Sequence, residues 1–363
     1  MTMTVATIVG ARPQFVKAAM VIRALKTSRA EIAHHLIHTG QHYDHEMSGA
    51  FFKELDLPAP DLNLGIGGGT HGQMTGLMLV ELERVLEVLQ PGWVLVYGDT
   101  DSTLAGALAA SKLHVPLAHV EAGLRSFNRT MPEELNRVLT DHASDVLLCP
   151  TRTAVSNLER EGLLERTRLV GDVMYDAALH HRNRLSLSAL DDLGVVPRSY
   201  FLATCHRAEN TDNPDRLRSV VGALTMVAQL APVLFPLHPR TRRRLDEFEI
   251  SIPTGVTILQ PLPYVSMLSL ESNAVAILTD SGGVQKEAYF LGVPCITMRS
   301  ETEWKETIET GWNTLVDTDP KRIFEAAGRI ERVRTLPRPP LYGNGDAASK
   351  IVATLITLSA ERE

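Results

Sequence analysis

Carboxylates occur at three places in the first half of the chain where one structural element gives way to the next. Asp99 and Glu121 each follow an apolar, β-branched run, where a parallel strand would end, and the pair Glu133-Glu134 opens a predicted helix. Open α/β sheets bind ligands at the carboxyl ends of their strands. A carboxylate positioned there can act as a general acid or base. The three places therefore predict proton-transfer chemistry.

A glycine turn in the second half predicts a phosphate site. The string Asp280-Ser-Gly-Gly-Val-Gln-Lys-Glu287 has the pattern of a strand end, a turn and a helix start. Glycines permit close backbone approach, and amides at a helix N-terminus favour an anion. Ser281, Gly282 and Gly283 are the predicted phosphate contacts, and Glu287 can accept the hydroxyls of a ribose. The alternative is an ordinary β–α turn.

Basic residues and histidines lie at similar boundaries. Arg12 and Lys17 follow the first strand and open a helix, where they can add positive charge to an anion site; the alternative is that both are solvated. His206 and His238 each follow a predicted strand in the second half. Either can donate a hydrogen bond to a phosphate, or serve only as a turn residue.

Structural roles compete with chemistry for several of these residues. Asp99 can cap the helix that follows it, although Asp101 is the better capping candidate. Glu121 can form a surface ion pair with Arg125, which would contribute little. Arg137 can pair with either glutamate of the helix start one turn earlier.

Residues 67–72 match the letters of the G-x-G-x-x-G fingerprint but lack its context. The segment before them, residues 62–66, is a poor strand, and a dinucleotide fingerprint needs a strand there. We expect a glycine loop and no nicotinamide site.

Composition excludes other classes. The chain has 363 residues, 44% of them hydrophobic, and a formal net charge of −7, which argues against a general nucleic-acid binder. No apolar run is long enough to span a bilayer. Cys149, Cys205 and Cys295 are far apart, which predicts reduced thiols in a cytoplasmic protein and no structural zinc site.

Strand-like and helical patterns alternate, which predicts an α/β protein with parallel sheets. We expect two Rossmann-like domains facing a central cleft: residues 1–171 with 346–363, carrying the carboxylates, and residues 172–345, binding the phosphates. A C-terminal helix over residues 347–358 is expected to cross back to the first domain. The predicted strands cover residues 5–9, 35–38, 94–97, 117–120, 146–149, 168–170, 200–204, 233–236, 256–259, 275–279, 295–298 and 314–316.

Together the motifs resemble the non-hydrolysing UDP-N-acetylglucosamine 2-epimerases, and the resemblance runs essentially end to end. The matching strings are Gly10-Ala-Arg-Pro, Thr39-Gly-Gln-His42, Gly98-Asp-Thr100, His119-Val-Glu-Ala-Gly-Leu-Arg125, Pro132-Glu-Glu134 with Asn136-Arg137, His206-Arg207 with Glu209-Asn210, and Asp280-Ser-Gly-Gly-Val-Gln285 with Glu287.

The resemblance implies the GT-B fold, a homodimer and a reaction. The enzyme would remove the proton at C2 of the sugar, expel UDP to leave 2-acetamidoglucal, and re-add UDP with inverted C2. It implies a UDP-sugar as the partner, with no nicotinamide and no obligatory metal. The expected pathway is the supply of precursors for surface polysaccharide.

The resemblance also assigns site residues. The acid/base candidates are Asp99, Glu121 and Glu133, with His206 at the phosphates. The predicted substrate-binding residues are Arg12, Lys17, Gln41, His42, Arg137, His238, Tyr264 (near the uracil), Ser281, Gly282, Gly283 and Glu287.

The chain departs from the commonest family pattern in three strings. It has Gly10-Ala-Arg-Pro-Gln14 where many members have Gly-Thr-Arg-Pro-Glu, and Gln41-His-Tyr-Asp-His45 lacks the Gln of allosterically regulated members. It has Thr302-Glu-Trp-Lys-Glu306 for Thr-Glu-Arg-Pro-Glu. These three variant strings are similar to those of the family branch that acts on UDP-2,3-diacetamido-glucuronic acid. Arg299 or Lys305 would bind the carboxylate of that sugar.

Functions of other classes remain as alternatives. A GT-B glycosyltransferase would share the glycine turn but does not explain the three sets of carboxylates. A non-catalytic nucleotide-sugar sensor would bind UDP without turnover. An oxidoreductase is disfavoured because the dinucleotide fingerprint lacks its strand.

Overall fold

The structure, a computed structural model, describes residues 3–41, 52–182, 190 and 194–362. The chain divides into two compact units, Met1–His180 with Pro340–Glu363, and His181–Pro339. Each unit is described separately. The assignment of proton chemistry to the first domain and of UDP binding to the second stays a prediction.

The first unit is built on a seven-stranded parallel sheet. Its strands are β1 (Met3–Val9), β2 (Ile32–His38), β3 (Leu62–Asn63), β4 (Trp93–Tyr97), β5 (Leu117–Val120), β6 (Val146–Cys149) and β7 (Thr167–Leu169). Their order is β3-β2-β1-β4-β5-β6-β7, the Rossmann arrangement, so the connections change direction between β1 and β4. Strands β4, β5 and β6 are buried along their whole length, which explains their continuous apolar runs.

Helices connect these strands, and one further helix follows the last strand. They are α1 (Arg12–Thr27), α2 (His71–Leu89), α3 (Asp101–Lys112), α4 (Pro132–Ala143), α5 (Arg152–Arg160) and α6 (Val173–His181). Helix α3 lies close to the sheet because its small residues permit it: a Cβ at Gly106 would come within 2.9 Å of Ile8 Cδ1 and 3.1 Å of Val96 Cγ1. The turns that precede α1 and α3 are therefore held near each other.

The second unit repeats the plan with six parallel strands in the order β10-β9-β8-β11-β12-β13. The strands are β8 (Phe201–Thr204), β9 (Val233–Pro236), β10 (Val256–Leu259), β11 (Ile277–Thr279), β12 (Cys295–Thr297) and β13 (Asn313–Leu315). The helices are α7 (Ala208–Thr211), α8 (Pro214–Val227), α9 (Pro239–Glu247), α10 (Tyr264–Asn273), α11 (Gly282–Leu291), α12 (Lys305–Glu309), α13 (Pro320–Ala327) and α14 (Ile330–Val333). The switch in direction falls between β8 and β11.

The last helix, α15 (Ala347–Ala360), belongs to the first unit and packs on α1. Asp176 of α6 accepts hydrogen bonds from the amides of Ala347, at 3.2 Å, and Ala348, at 2.8 Å. The Trp93 indole donates to Ser359 Oγ at 2.8 Å. The predicted α/β class, with two Rossmann-like sheets and a returning C-terminal helix, is confirmed.

In residues 62–66, the segment described above as a poor strand, only Leu62–Asn63 pairs with β2, as a two-residue edge strand. The Leu64 amide extends this pairing to the His38 carbonyl at 2.8 Å. Helix α2 does not follow at once, since it begins at His71 with Thr70 as its N-cap. Among the described residues, no helix is long and apolar enough to cross a membrane.

Candidate active site

In the first unit, the segments that follow strands β1, β2 and β4 contact one another through hydrogen bonds and close packing. Gln41, predicted to contact substrate, accepts hydrogen bonds through Oε1 from the Ser102 amide, at 3.1 Å, and from Ser102 Oγ, at 2.6 Å. Thr39 Oγ1 lies 2.8 Å from the same hydroxyl. A side chain at Gly10 would clash with both Thr39 and Ser102. His42 lies outside the described residues.

Asp99 lies at the end of β4 and is oriented by α4. Arg137 Nη2 donates to the Asp99 carboxylate, and Arg137 Nη1 donates to Glu134 Oε2 at 2.8 Å. Asn136 Nδ2 donates to the Asp99 carbonyl at 3.0 Å. The Asp99 side chain is 32% exposed while that of Arg137 is 4% exposed. The carboxylate is therefore fixed by a buried cation and still accessible from solvent.

Glu121 pairs with Lys17, and both side chains are more than nine-tenths buried. Glu121 adopts a left-handed conformation with φ of 71°, which is costly for a non-glycine residue and occurs often at functional sites. A Cβ at Gly98 would lie 3.1 Å from Lys17 Nζ and 3.3 Å from Glu121 Oε2. The ion pair thus lies against the turn that carries Asp99.

A buried network supports this turn. His119 contacts Asp141 Oδ1 through Nδ1, at 2.6 Å, and the Gly98 carbonyl through Nε2, at 2.7 Å; since a carbonyl only accepts, Nε2 carries a proton. Burial acts to raise the pKa of Asp141, but His119 and Arg125 outweigh it and lower that pKa. The alternative pairing of Arg125 with Glu121 is wrong, because Arg125 donates to Asp141 and Glu161.

Sequence reasoning missed this network. Its signal was His119, a polar residue inside a fully buried strand. Such a group needs a partner, and Asp141 of α4 provides one.

The two glutamates at the start of α4 have different surroundings. Glu134 is buried and accepts from the Ser126 amide at 2.8 Å, the Ser126 hydroxyl at 2.9 Å, the Phe127 amide at 2.9 Å, and Arg137. Its role is to hold the loop before α4. Glu133 lies half-buried one residue earlier and stays the predicted acid/base group.

Thr100, and not the predicted Asp101, caps helix α3. The Thr100 hydroxyl accepts from the Thr103 amide at 3.3 Å, and Asp101 is the first helical residue. Asp101 instead accepts from Asn136 at 3.2 Å and contacts His71 Nδ1 at 2.8 Å. Since Thr100 has the capping function, Asp99 is not needed for it.

Asp280 organises the corresponding edge of the second unit. It is fully buried and accepts from the amides of His206, at 3.1 Å, and Arg207, at 3.0 Å, and from Asn210 Nδ2 at 3.1 Å. It thereby ties the end of β8 to the end of β11. Sequence reasoning gave Asp280 no role, although its place directly after a strand was the available signal.

The predicted phosphate site is the N-terminus of α11. Ser281 is the N-cap, and its hydroxyl accepts from the Val284 amide at 3.5 Å. Gly282 and Gly283 are the first helical residues, whose amides have no acceptor within the helix. A Cβ at Gly282 would lie 2.6 Å from Glu303 Oε1, so a side chain there would displace its neighbour.

The predicted histidines lie together in the second unit. The rings of His206 and His238 have centroids 5.6 Å apart. His238 also caps α9, accepting from the Arg240 amide at 3.2 Å. Burial, together with Arg207 and Arg240, lowers the pKa of His206, although the nearby Asp280 acts to raise it. The lowered pKa favours the neutral imidazole.

Two of the remaining predicted residues lie at helix starts. Arg12 is the half-buried first residue of α1, and Tyr264 is the buried first residue of α10. Glu287 is buried in α11, the helix of the glycine turn. Among the described residues, Asp99, Glu121, His206 and Ser281 lie just beyond the carboxyl ends of strands in their own units.

A family model and two relatives each match more than nine-tenths of the chain. A family model described as UDP-N-acetylglucosamine 2-epimerase matches residues 23–356. The chain is 50% identical to the UDP-2,3-diacetamido-2,3-dideoxy-D-glucuronate 2-epimerase of Pseudomonas aeruginosa, covering 98% of this chain and 100% of that protein. It is 45% identical to the UDP-N-acetylglucosamine 2-epimerase of Methanocaldococcus jannaschii, covering 97% and 99%.

Solved structures give the same result. A crystal structure of the M. jannaschii UDP-GlcNAc 2-epimerase in complex with UDP-GlcNAc and UDP has a TM-score of 0.89 at 44% identity, covering 98% of this chain and 100% of that chain. The Neisseria meningitidis enzyme bound to UDP-GlcNAc has a TM-score of 0.88 at 29% identity, covering 98% and 100%. Since motifs, fold and overall similarity agree, the chain belongs to the UDP-N-acetylglucosamine 2-epimerase family, whose relatives named here are sugar-nucleotide 2-epimerases.

Proposed function

We propose that the protein is a non-hydrolysing 2-epimerase that interconverts UDP-GlcNAc and UDP-ManNAc. The observation that carries the proposal is the pair of separately held carboxylates in the first unit. Asp99 is oriented by Arg137 and Glu121 by Lys17, and Gly98 lies against the second pair. Inversion at C2 needs proton transfer on two faces, so two positioned groups match the chemistry.

The proposed reaction has two stages. A carboxylate removes the C2 proton while the bond between C1 and the β-phosphate oxygen breaks, giving UDP and 2-acetamidoglucal. The same oxygen then re-adds to C1 while another acid returns a proton to the opposite face of C2. Asp99, Glu121 and Glu133 are the proposed proton carriers.

The second unit is the proposed holder of UDP. Backbone amides of Gly282 and Gly283, at the start of α11, favour the diphosphate. A neutral His206 can still donate one hydrogen bond to a phosphate oxygen. Glu287 is the proposed ribose contact, and Tyr264 lies at the proposed uracil position. Arg12, in the first unit, is a further proposed contact of UDP.

A second candidate substrate is UDP-2,3-diacetamido-glucuronic acid. The observation that favours it is the 50% identity to the Pseudomonas aeruginosa enzyme named for that sugar. Of the two cations considered for its carboxylate, Arg299 is 2% exposed and donates to Glu303 Oε2 at 3.0 Å, whereas Lys305 is exposed. Lys305 is therefore the proposed contact, because its side chain is open to solvent while that of Arg299 is buried.

The two substrates are distinguished by measuring kcat/KM for each with the same purified enzyme. The proposal expects UDP-GlcNAc to be the better substrate. A preference for the diacetamido-uronic acid of about a hundredfold or more, equivalent to about 2.7 kcal/mol of transition-state binding, would establish the second candidate instead. Turnover of neither sugar would refute both.

We also infer a cytoplasmic homodimer that supplies precursors for surface polysaccharide. Cys149, Cys205 and Cys295 are buried and free, as expected in a reducing compartment. Burial raises the pKa of the Cys295 thiol to about 12, so it is held as an unreactive thiol.

Exposed leucines on two helices of the first unit are the basis for the proposed dimer. Helix α3 is largely buried and packs on α2 and α4. Leucines on the two outer helices remain exposed: Leu77 by 60%, Leu135 by 47% and Leu139 by 42%. In the proposed dimer, the second subunit would cover these leucines.

A further inference from the structure

The loop before α4 presents a large aromatic residue to solvent. Phe127 is 59% exposed and has a φ of 63°. Bulky residues rarely adopt this left-handed conformation, because their Cβ comes too close to the backbone. A residue that is mostly exposed also gains little from burial that could offset this cost. The stability of the first unit therefore does not explain why a phenylalanine stands here in this conformation.

Buried and local hydrogen bonds hold Phe127 in place. Its amide donates to Glu134 Oε1 at 2.9 Å, and the Ser126 amide donates to Glu134 Oε2 at 2.8 Å. Glu134 itself is 3% exposed. Within the loop, the Asn128 amide donates to Ser126 Oγ at 3.3 Å, and the Met131 amide donates to the Asn128 carbonyl at 3.1 Å. Strained residues that their surroundings fix in this way cluster at active sites and ligand sites.

The same glutamate joins Phe127 to the proposed proton carriers. Arg137 donates to Glu134 Oε2 at 2.8 Å through Nη1 and to the Asp99 carboxylate through Nη2. Glu133, another proposed proton carrier, precedes Glu134 in the chain. Two bridging side chains therefore connect the Phe127 amide to the Asp99 carboxylate.

Both candidate substrates carry an acetamido group on C2, the carbon that exchanges its proton. Residues held close to the proton carriers are therefore close to this group as well. The methyl end of an acetamido group is apolar, and its contact with an aromatic ring away from water is favourable. The side chains that hold Asp99 are charged or polar, whereas Phe127 offers an apolar surface beside them.

We propose that Phe127 is a specificity-determining residue, whose ring contacts the methyl of the C2 acetamido group. The inference rests on the proposed function, because it assumes a 2-acetamido sugar and proton transfer at C2. It does not depend on which of the two candidate sugars is preferred. Glu134 is the positioning residue that holds Phe127 for this contact.

The test compares Phe127→Asn with wild type, using the sugar nucleotide that wild type epimerises. Asparagine tolerates the left-handed conformation, so this variant removes the ring without straining the loop. Loss of the contact with one methyl group should lower kcat/KM about fourfold or more. The Kd of UDP, which has no acetamido group, should stay unchanged. Phe127→Tyr keeps the aromatic face and should retain the wild-type kcat/KM.

A second measurement uses the same sugar nucleotide with an N-propionyl group at C2 in place of N-acetyl. One additional methylene in an apolar contact is worth about tenfold or more in kcat/KM, so wild type should prefer the N-acetyl sugar by that factor. The preference should fall in Phe127→Asn, because the ring that limits the size of the acyl group is gone.

A matched control is Arg198→Asn. Arg198 is also exposed and left-handed, with a φ of 58°, but it lies in the second unit. Its kcat/KM and its preference for the N-acetyl sugar should equal those of wild type. The thermal unfolding midpoint of Phe127→Asn should be no lower than that of wild type, because the strained residue has been replaced. A purely structural role of Phe127 would instead lower this midpoint.

Three outcomes would overturn the inference alone. They are wild-type kcat/KM in a folded Phe127→Asn enzyme, equal use of the N-acetyl and N-propionyl sugars by wild type, and a monomeric Phe127→Asn in light scattering, which would assign Phe127 to the subunit interface. The second outcome needs no variant, so the test holds even if Phe127→Asn does not fold. An inactive wild-type enzyme would overturn the proposed function and, with it, this inference.

Discussion

Asp99 combines the two properties that an acid/base residue needs. Arg137 fixes its orientation, while about a third of the side chain stays accessible. Glu134, in contrast, uses its carboxylate to hold Ser126 and Phe127 and has a structural role. Burial and partners thus distinguish carboxylates that look equivalent in sequence.

Asp99→Asn should lower kcat by about 10²- to 10⁴-fold, the usual contribution of a general acid or base. Its free energy of unfolding should change by only about 1 kcal/mol, because Arg137 keeps Glu134 as a partner. Steady-state kinetics and urea unfolding measure the two effects. Asp215→Asn, at a carboxylate that is 90% exposed, is the matched control and should leave both unchanged. Full activity of Asp99→Asn would remove Asp99 from the mechanism.

Residue types were predictable at this scale, but pairings were not. Asp99, Glu121 and Ser281 could be named because each follows an apolar run that ends at a sheet edge. The partner of Glu121 could not, because Lys17 lies 104 positions away and reaches it only through the packing of α1 on the sheet. A nearby cation, Arg125, was the natural choice from sequence and was wrong.

Helix α15 shows how one element depends on a single buried acid. Asp176 accepts from the first two amides of α15, and burial raises its pKa from 3.8 to about 6, with Asp172 and Asp346 adding to the shift. The pKa of Asp176 is higher in the folded state than in the unfolded state. The contribution of Asp176 to the free energy of unfolding is therefore complete below about pH 4 and is lost as the pH rises through about 6.

Two variants test this element. At pH 4, Asp176→Ala should lower the free energy of unfolding by about 1–3 kcal/mol, since two amides lose their acceptor. This deficit should shrink as the pH rises towards 7, because only wild type is destabilised by ionisation of Asp176. Asp176→Asn keeps an acceptor and cannot ionise. Relative to Asp176→Asn, the free energy of unfolding of wild type should therefore fall by up to about 3 kcal/mol between pH 4 and pH 7. Guanidinium unfolding at several pH values measures this fall. The same pH dependence of the free energy of unfolding in both proteins would contradict the prediction.

Elements were predictable where the pattern was strong. The strands Leu117–Val120, Val146–Cys149, Val233–Pro236 and Val256–Leu259 have the predicted bounds, because apolar runs end at clear turns. Strand β3 was not predictable, since its two residues are exposed and form a strand only because they pair with β2. The prediction that Asp101 caps α3 was also wrong. Thr100 and Asp101 are both good capping residues, and only the geometry of the folded chain decides between them.

At the scale of the whole molecule, alternation of strands and helices sufficed to predict two Rossmann-like sheets. The two sheets share this strand order, because in each unit the chain first adds strands on one side of the first strand and then on the other. Where the side changes lie Gly10 and Gly98 in one sheet and His206 and Asp280 in the other, and the predicted site residues lie close to these positions in the sequence. That coincidence follows from topology, and so it was predictable from sequence.

The proposed dimer is tested by the exposed leucines. Wild type should have the mass of a dimer in light scattering, and Leu77→Glu combined with Leu135→Glu should give a folded monomer, because charges oppose burial of this surface. Val196→Glu, at a residue of the second unit that is 66% exposed, should leave the dimer intact. A wild-type monomer at micromolar concentration would contradict the proposal.

The most direct test of the central claim is proton NMR of the purified enzyme with UDP-GlcNAc in D2O. Removal and return of the C2 proton predict deuterium at C2 together with new signals of UDP-ManNAc. The same experiment with UDP-2,3-diacetamido-glucuronic acid covers the second substrate. Retention of the C2 proton in both sugars, with no new sugar signals, would contradict epimerisation by this protein.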